Sequence, residues 1–337
     1  MEKCLPYDDG ILYYTPDLDD AQTSKENFEQ NMLRTLTKAN LDPLARKLRE
    51  FTIRSSYELV TGKALRELPA NYSTYGDFLG EETDMIVGGY IELIKHIANG
   101  LTIHLNQIAK EIRVEKDKVI VTTNKGEFTG SHVIVTLPLG VLKKENITFT
   151  PTLPTHKQKA IDTLTMGKLE KIIMRFPQAF WRENSSNQSF FHMAKDLQSG
   201  AFPLFADVSP TPSQPTLAAL IAGDFSTKLI AEATAADSFA AMKNLLYQLF
   251  GKKYVAPIHQ DRSEWQLDPF TGGCYAGPSL QSKPEDFDIL AEPHAERMLF
   301  AGEHTSARYH SYVHGAMESG IREARRLTQK PVTLSIA

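Results

Sequence analysis

The stretch that decides the fold is Leu299-Phe300-Ala301-Gly302-Glu303-His304-Thr305-Ser306, followed by Tyr309-His310-Ser311-Tyr312-Val313-His314-Gly315-Ala316-Met317-Glu318-Ser319-Gly320. It predicts a short strand ending in Ala-Gly, a polar loop, and a helix whose first turns carry small residues. Small side chains let a large flat molecule approach the backbone, and the N–H groups at a helix start favour negative charge. We therefore expect a flat, negatively charged ring to bind at this junction.

The terminal helix has helical apolar periodicity. Its apolar residues recur at i, i+3, i+4, i+7, i+8, i+11 and i+14, which predicts a single apolar stripe: Val313, Ala316, Met317, Gly320, Ile321, Ala324 and Leu327. We expect such a stripe to face a core.

The rest of the chain predicts a mixed α/β protein. Helices are expected from Ser24-Lys25-Glu26-Asn27 and from Asp42-Pro43, and an apolar run at 84–88 precedes an amphipathic helix with Ile91, Ile94 and Ile97. Period-two patterning from Leu101 to Leu137 predicts a β-meander. Strands are expected at 171–176, 216–222 and 297–302, and a helix at about 236–250.

Composition indicates a globular protein of about two domains. The 337 residues are 42 % hydrophobic and 23 % charged, an ordinary globular balance. The 37 Lys and Arg against 41 Asp and Glu give a formal charge of −4, with no long basic run, so nucleic acid is not an expected partner.

The cysteine count and the hydropathy of the sequence indicate the cellular location. The chain has two cysteines, Cys4 and Cys274, too few for a disulfide framework, and no CxxC zinc spacing. No window has the apolar length of a membrane span, and the start has no signal-peptide core. A cytoplasmic location is expected, unless a segment with an export signal precedes Met1.

Five motifs in order resemble the flavin-dependent amine oxidases, a family of polyamine oxidases, monoamine oxidases and lysine-specific histone demethylases. The resemblance spans residues 84 to 328. A reduced flavin is a flat anion of the kind expected above. Besides the block quoted first, the motifs are Val87-Gly88-Gly89-Tyr90, Thr136-Leu137-Pro138-Leu139-Gly140-Val141-Leu142-Lys143, Gly167-Lys168-Leu169-Glu170-Lys171-Ile172 with Phe180-Trp181, and Trp265 leading to Gly272-Gly273-Cys274-Tyr275.

The resemblance implies a two-domain FAD-dependent fold. Residues 85–145 and 265–330 would form the cofactor domain, and residues 1–84 and 146–264 the mixed α+β substrate domain. The family begins with a βαβ unit carrying GxGxxG, and no GxGxxG occurs in this sequence. We therefore expect an incomplete cofactor domain, whose N-terminal segment lies outside the chain given.

The resemblance assigns three catalytic residues. Lys171 matches the lysine that holds a water against flavin N5, which supports flavin reoxidation by oxygen or hydrolysis of the imine. Tyr275 and Tyr312 match two positions that face each other on the substrate side of the flavin. Such a pair accepts a partly cationic amine by cation–π attraction and leaves room for a neutral one.

The resemblance also assigns cofactor-lining residues. Glu303 matches an acid whose loop contacts the ribityl and pyrophosphate part of FAD, and the Val313 backbone N–H would face the flavin pyrimidine while its side chain joins the core. Cys274 lies in Gly-Gly-Cys-Tyr, where monoamine oxidases attach the flavin through a thioether; a small buried structural cysteine is the alternative. The remaining cofactor positions are Ala109, Thr136, Leu137, Pro138, Trp265 and Gly302.

The reaction implied is oxidation of an amine, with a polyamine favoured, to an imine and then an aldehyde, while O₂ is reduced to H₂O₂. Two alternatives remain open: a related flavin oxidase of amino acids or other substrates, and an inactive fragment acting as a non-catalytic module. His310 and His314 have i, i+4 spacing, but neither HExxH nor a third ligand accompanies them, so no metal site is predicted.

Overall fold

A computed structural model describes residues 3–6, 26–72, 75–76, 89–182, 189–193 and 200–328. Within these ranges the strands are β1 Lys3–Pro6, β2 Ala109–Val114, β3 Val119–Thr123, β4 Glu127–Gly130, β5 Val133–Val135, β6 Thr148–Thr150, β7 Thr165–Met166, β8 Glu170–Arg175, β9 Phe190–Met193, β10 Leu204–Asp207, β11 Thr216–Ile221, β12 His259–Arg262, β13 Ala276–Gly277 and β14 Met298–Phe300. The α-helices are α1 Phe28–Lys38, α2 Pro43–Thr61, α3 Tyr90–Ala98, α4 Leu139–Leu142, α5 Thr155–Thr163, α6 Gly223–Ser226, α7 Ala235–Phe250, α8 Glu285–Ala291 and α9 Val313–Thr328.

The chain divides into two compact units. The first contains the described residues within Met1–Ala70, Gly80–Asn99 and Gly167–Asp268. The second contains those within Asn71–Leu79, Gly100–Met166 and Pro269–Ala337. Which unit binds substrate and which binds cofactor stays a prediction.

The first unit is built on a six-stranded antiparallel sheet, in the order β1-β9-β10-β11-β8-β12. Strand β8 alternates, and its inward residues Ile172 and Met174 are fully buried in the main core of this unit, together with Met242 and Leu246 of α7. Helix α7, predicted at 236–250, begins at a capping box in which Thr234 and Asp237 satisfy each other's backbone N–H.

Two predicted N-terminal helices are present in the first unit. Helix α1 begins at Asn27, whose side chain accepts from the Gln30 N–H in a capping box; Ser24 and Lys25 of the predicted start lie outside the described residues. Helix α2 begins with the predicted Asp42 cap and Pro43, and ends at Gly62 with φ +65°.

The second unit contains a four-stranded sheet, in the order β4-β3-β2-β6, and a parallel pair, β5 with β14. The predicted meander forms from Ala109 onward. The expected strand at Leu101–Leu105 is wrong: this segment has no strand partner, and Leu105 is 75 % exposed. Alternation alone does not make a strand, because a strand also needs a neighbour for its backbone groups.

Helix α3 has the predicted amphipathic sequence but buries none of its residues. Tyr90, Ile91, Ile94 and Ile97 are all exposed. The preceding apolar run and Val87 and Gly88 of the quoted motif lie outside the described residues.

Helix α9 fully buries none of the residues in its predicted apolar stripe. Its buried residues are Gly315, Ser319 and Glu323, whereas Val313 and Met317 are exposed. The prediction that the stripe faces the core is wrong within the described residues, because polar contacts to the β14 loop hold the other face inward.

Among the described helices, none combines the length and apolar content that crossing a bilayer would require.

Candidate functional site

The carboxyl ends of β5 and β14 lie side by side in the second unit. Val135 pairs with Phe300, and the Ala301 N–H donates to the Val135 carbonyl at 3.0 Å. The chain continues from these ends into Thr136-Leu137-Pro138 and into Gly302. Ligands of α/β proteins bind at the carboxyl ends of parallel strands. The structure thus brings four predicted cofactor-lining residues to one such edge.

The loop after β14 is held against α9 by polar contacts. The Ser319 hydroxyl accepts from the Gly302 N–H at 2.8 Å and donates to the Ala316 carbonyl at 2.6 Å. Arg322 donates to the carbonyls of Phe300 at 2.7 Å and Thr305 at 2.9 Å. These bonds fix the strand, the loop and the helix as one unit, as the quoted sequence block predicts.

The first turn of α9 offers backbone donors. Its first three N–H groups, those of Val313, His314 and Gly315, have no acceptor within their own helix. A side chain at Gly315 would place its Cβ 1.9 Å from the Tyr309 carbonyl oxygen, so glycine is required there. Val313 is 54 % exposed, and the prediction that its side chain joins the core is wrong, because it starts the helix on its outer face. Its backbone role stays a prediction.

The two predicted tyrosines are brought together. Burial raises the pKa of the Tyr275 phenol well above its usual value, and Cys274, Tyr72 and Tyr312 lie close enough to raise it further. The Tyr275 hydroxyl also shares a hydrogen bond with the Cys274 side chain. Tyr275 and Tyr312 are half-buried residues of the second unit, and the phenol is the buried end of Tyr275.

Tyr312 is supported from the helix side by another ring. The His314 imidazole stacks on the Tyr312 ring with centroids 5.0 Å apart and an interplanar angle of 18°. Tyr309 meets the same imidazole edge-on at 4.9 Å. Sequence reasoning missed this stack, because Tyr309 and Tyr312 precede α9 and helical spacing does not indicate contacts there.

Glu303 joins the two tyrosine segments. Its carboxylate accepts from the Ala276 N–H at 2.9 Å and from the Ser311 N–H at 2.7 Å. Burial raises the pKa of Glu303, and these two backbone donors oppose that rise. Contact between its loop and the ribityl chain of FAD stays a prediction.

The His310 and His314 pair is not a helical pair. Helix α9 begins at Val313, so His310 precedes it, and its ring stacks on Phe287 at 4.3 Å. Within the described residues, no group of three or more His, Cys, Asp and Glu side chains is arranged to hold a metal ion.

Lys171 and Trp265 belong to the first unit. The Lys171 side chain is exposed on β8, and its backbone exchanges hydrogen bonds with Ser263, whose hydroxyl accepts at 2.8 Å and whose N–H donates at 2.9 Å. Trp265 follows in the next turn and is exposed. The catalytic role of Lys171 and the cofactor role of Trp265 stay predictions.

A buried carboxylate supports both of these residues. Glu170 is fully buried and accepts from the Ser263 hydroxyl at 2.5 Å and from the Gln266 N–H at 3.0 Å. Sequence reasoning missed Glu170. The available signal was its spacing of two and four residues from Ile172 and Met174, which puts all three side chains on the same face of the strand.

Ala109 is the first residue of β2 and pairs with Thr123 in the four-stranded sheet. The register shifts between Ala109 and Glu111, so a β-bulge follows it. Its predicted cofactor-binding role stays a prediction.

Comparison with known proteins gives the family. The family described as flavin containing amine oxidoreductase matches residues 15–328. The chain belongs to the flavin-containing amine oxidoreductases. The family predicted from the sequence is therefore confirmed, and FAD is the cofactor that this family assigns to the site.

Curated relatives of this amine oxidoreductase are named histone demethylases. It is 35 % identical over 255 residues to lysine-specific histone demethylase 1 homolog 1 of Oryza sativa subsp. japonica, covering 74 % of this chain and 30 % of that protein. It is 32 % identical over 300 residues to homolog 2 of Arabidopsis thaliana, covering 88 % of this chain and 40 % of that protein. The chain thus spans well under half the length of these relatives.

Solved structures confirm the predicted α/β amine oxidase fold. A putrescine oxidase bound to putrescine superposes with a TM-score of 0.70 at 18 % identity, covering 96 % of this chain and 73 % of that one. Cyclohexylamine oxidase from Brevibacterium oxydans superposes with a TM-score of 0.66 at 17 % identity, covering 95 % and 72 %. Part of each solved structure has no counterpart in this chain, which fits the expectation of an incomplete cofactor domain.

The second unit fits the isoalloxazine end of FAD. The carboxyl edge of β5 and β14, the open N–H groups of α9 and the glycine at position 315 supply backbone donors and close approach at one place. A flavin placed there would be held by backbone groups, with Tyr275 and Tyr312 as the neighbouring aromatic side chains.

Proposed function

We propose that this chain carries the flavin and amine sites of an FAD-dependent oxidase that converts a polyamine to an imine, with O₂ reduced to H₂O₂. The observation that supports this most is that hydrogen bonds join the segments of Tyr275 and Tyr312, beside the loop that follows β14. When bound, the flavin accepts a hydride equivalent from the carbon next to the amine nitrogen and passes two electrons to O₂. Water then hydrolyses the imine to an aldehyde and an amine.

The protein's own groups bind and orient the amine. The faces of the two tyrosine rings attract a partly cationic amine and leave room for a neutral one, and burial, which raises the pKa of Tyr275, keeps its phenol neutral also at alkaline pH. The start of α9 favours the negative charge that the reduced ring carries. Lys171 would hold the water needed for reoxidation or imine hydrolysis.

A second candidate substrate is a methylated lysine side chain. The curated relatives with at least 32 % identity reported above are named lysine-specific histone demethylases. Oxidation of a methyl carbon on nitrogen is the same reaction type, and it requires room for a peptide instead of a free polyamine. Spermidine, spermine, benzylamine, L-amino acids and a methyl-lysine peptide, each assayed for peroxide, separate these substrates.

We also propose that a dinucleotide-binding βαβ unit completes the FAD site. In the second unit, α9 and residues 101–108 each expose apolar side chains that a βαβ unit packed on them would cover: Val313, Met317, Leu327, Leu101, Ile103, Leu105 and Ile108. Supplying a βαβ unit with GxGxxG, in frame or as a separate chain, should raise FAD affinity at least tenfold. Equal FAD affinity with and without it would contradict this proposal.

The Lys171→Met variant tests the catalytic assignment. It should retain bound flavin and slow reoxidation of the reduced protein by O₂ at least tenfold, because the water would lose its cationic partner. Lys168→Met, changed three residues earlier, is the matched control and should reoxidise at the wild-type rate. Wild-type reoxidation in Lys171→Met would contradict the assignment.

A further inference from the structure

We infer that Glu303 is a positioning residue that sets the spacing between Tyr275 and Tyr312 by clamping the backbone segments that carry them. One carboxylate oxygen accepts from the N–H of Ala276, the residue after Tyr275, at 2.9 Å. The other accepts from the N–H of Ser311, the residue before Tyr312, at 2.7 Å. The inference deepens the proposed function and rests on the tyrosine pair as the amine site.

A third hydrogen bond closes the clamp. The Ser311 hydroxyl donates to the Ala276 carbonyl at 2.5 Å, so the two segments are also joined directly. Ser311 has φ +69°, a left-handed conformation that a serine adopts only when its surroundings hold it there. The two bonds that Ser311 makes supply that restraint.

The backbone segments on both sides of the clamp are themselves anchored. Gly302, the neighbour of Glu303, donates to the Ser319 hydroxyl on α9, and Ala276 pairs with Met166 in the short β13–β7 ladder. The carboxylate therefore connects two anchored elements. A charge-assisted bond to a backbone N–H is stronger than a neutral one, which explains why an acid serves here better than an amide.

Amide hydrogen exchange in the chain without cofactor tests the clamp directly. In Glu303→Gln, one oxygen acceptor becomes an NH₂ group that cannot accept, so the amide that loses its acceptor, Ala276 or Ser311, should exchange at least tenfold faster than in the wild type. The Gly302 amide, bound to Ser319, should keep its rate. Glu318→Gln, an exposed change on α9, is the control and should alter none of the three rates.

The functional part is tested with FAD-loaded protein. In samples matched for bound flavin, anaerobic reduction by saturating amine should be at least tenfold slower in Glu303→Gln than in the wild type; Glu303→Asp, which keeps both oxygens, should recover part of the rate. Unchanged amide exchange, or faster exchange with wild-type reduction, would overturn the inference.

If no amine reduces the wild-type flavin, the proposed function fails and the exchange result alone decides the clamp. Should Glu303→Gln not fold, Glu303→Asp, whose side chain is one methylene shorter, should speed exchange at Ala276 or Ser311 to a smaller extent, and unchanged rates at both amides would overturn the inference.

Discussion

The ammonium group of Lys157 on α5 lies 4.2 Å from the centre of the Phe300 ring on β14. It also donates to the carbonyls of Ile289 and Leu290 at the end of α8, both at 2.8 Å. Lys157 is only 1 % exposed, and burial lowers its pKa to about 8. A helix end and an aromatic face thus stabilise a cation inside the second unit.

This pKa predicts a rise of stability with alkaline pH. Between pH 8 and 10.5 the unfolded chain keeps Lys157 protonated and the folded chain does not, so the unfolded state binds more protons. The free energy of unfolding should therefore rise by up to about 3 kcal/mol across this window relative to Lys157→Met. Urea unfolding of both proteins at several pH values measures it. Lys159→Met, an exposed change on α5, should show the same pH dependence of unfolding free energy as the wild type. If Lys157→Met also shows the wild-type pH dependence, the lowered pKa of Lys157 is contradicted.

The buried imidazole of His304 predicts a loss of stability at acid pH. Burial lowers its pKa to about 4, and the charges of Lys157 and Arg322 act in the same direction. The unfolded chain protonates His304 below about pH 6.5, so the contribution is complete above that pH and is lost as pH falls towards 4, by about 3 kcal/mol. His304→Gln should flatten this loss in unfolding experiments, and His132→Gln, at an exposed position, should not. If His304→Gln loses as much unfolding free energy as the wild type when pH falls from 6.5 towards 4, the prediction is wrong.

Two glycines of α9 should respond in opposite directions. Gly315→Ala places a methyl group against the Tyr309 carbonyl and should lower the free energy of unfolding by about 1–3 kcal/mol. Gly320→Ala meets no atom within 4 Å and should raise it by about 0.5–1 kcal/mol, because alanine favours the helix. Thermal unfolding of this chain measures both. Equal shifts would show that the start of α9 is not packed against Tyr309 as described.

Acid precipitation of the FAD-loaded protein distinguishes a thioether between Cys274 and the flavin from a structural cysteine. The half-exposed thiol of Cys274 is free of any disulfide and lies next to Tyr275. After loading with FAD and acid precipitation, flavin fluorescence should stay with the wild-type protein and appear in the supernatant for Cys274→Ala. Release of flavin from the wild type would show that the cofactor is held without a thioether.

Local sequence patterns predicted the elements that carry their own signals. Asp42 and Pro43 predicted the start of α2, because a cap and an N1 proline act within one turn. The alternation of Ile172 and Met174 predicted β8 in the same way. The family motifs likewise placed Tyr275 and Tyr312, which the structure brings together.

Features that depend on long-range partners could not be predicted. The apolar stripe of α9 gives a helix but not its orientation, which Ser319 and Arg322 decide through bonds to the β14 loop. The Leu101–Leu105 alternation lacks a neighbouring strand. The Glu303 clamp joins residues 27 and 8 positions away, and no local pattern indicates which backbone N–H groups a carboxylate will meet.

Anaerobic titration of the FAD-loaded protein with spermidine tests the central claim most directly. If the second unit holds the isoalloxazine beside the tyrosine pair, spermidine should bleach the visible flavin band of the wild type. In Tyr312→Leu the flavin should stay bound and bleach at least tenfold more slowly. A flavin band that neither spermidine nor a methyl-lysine peptide bleaches, or a Tyr312→Leu variant that bleaches at the wild-type rate, would contradict the account.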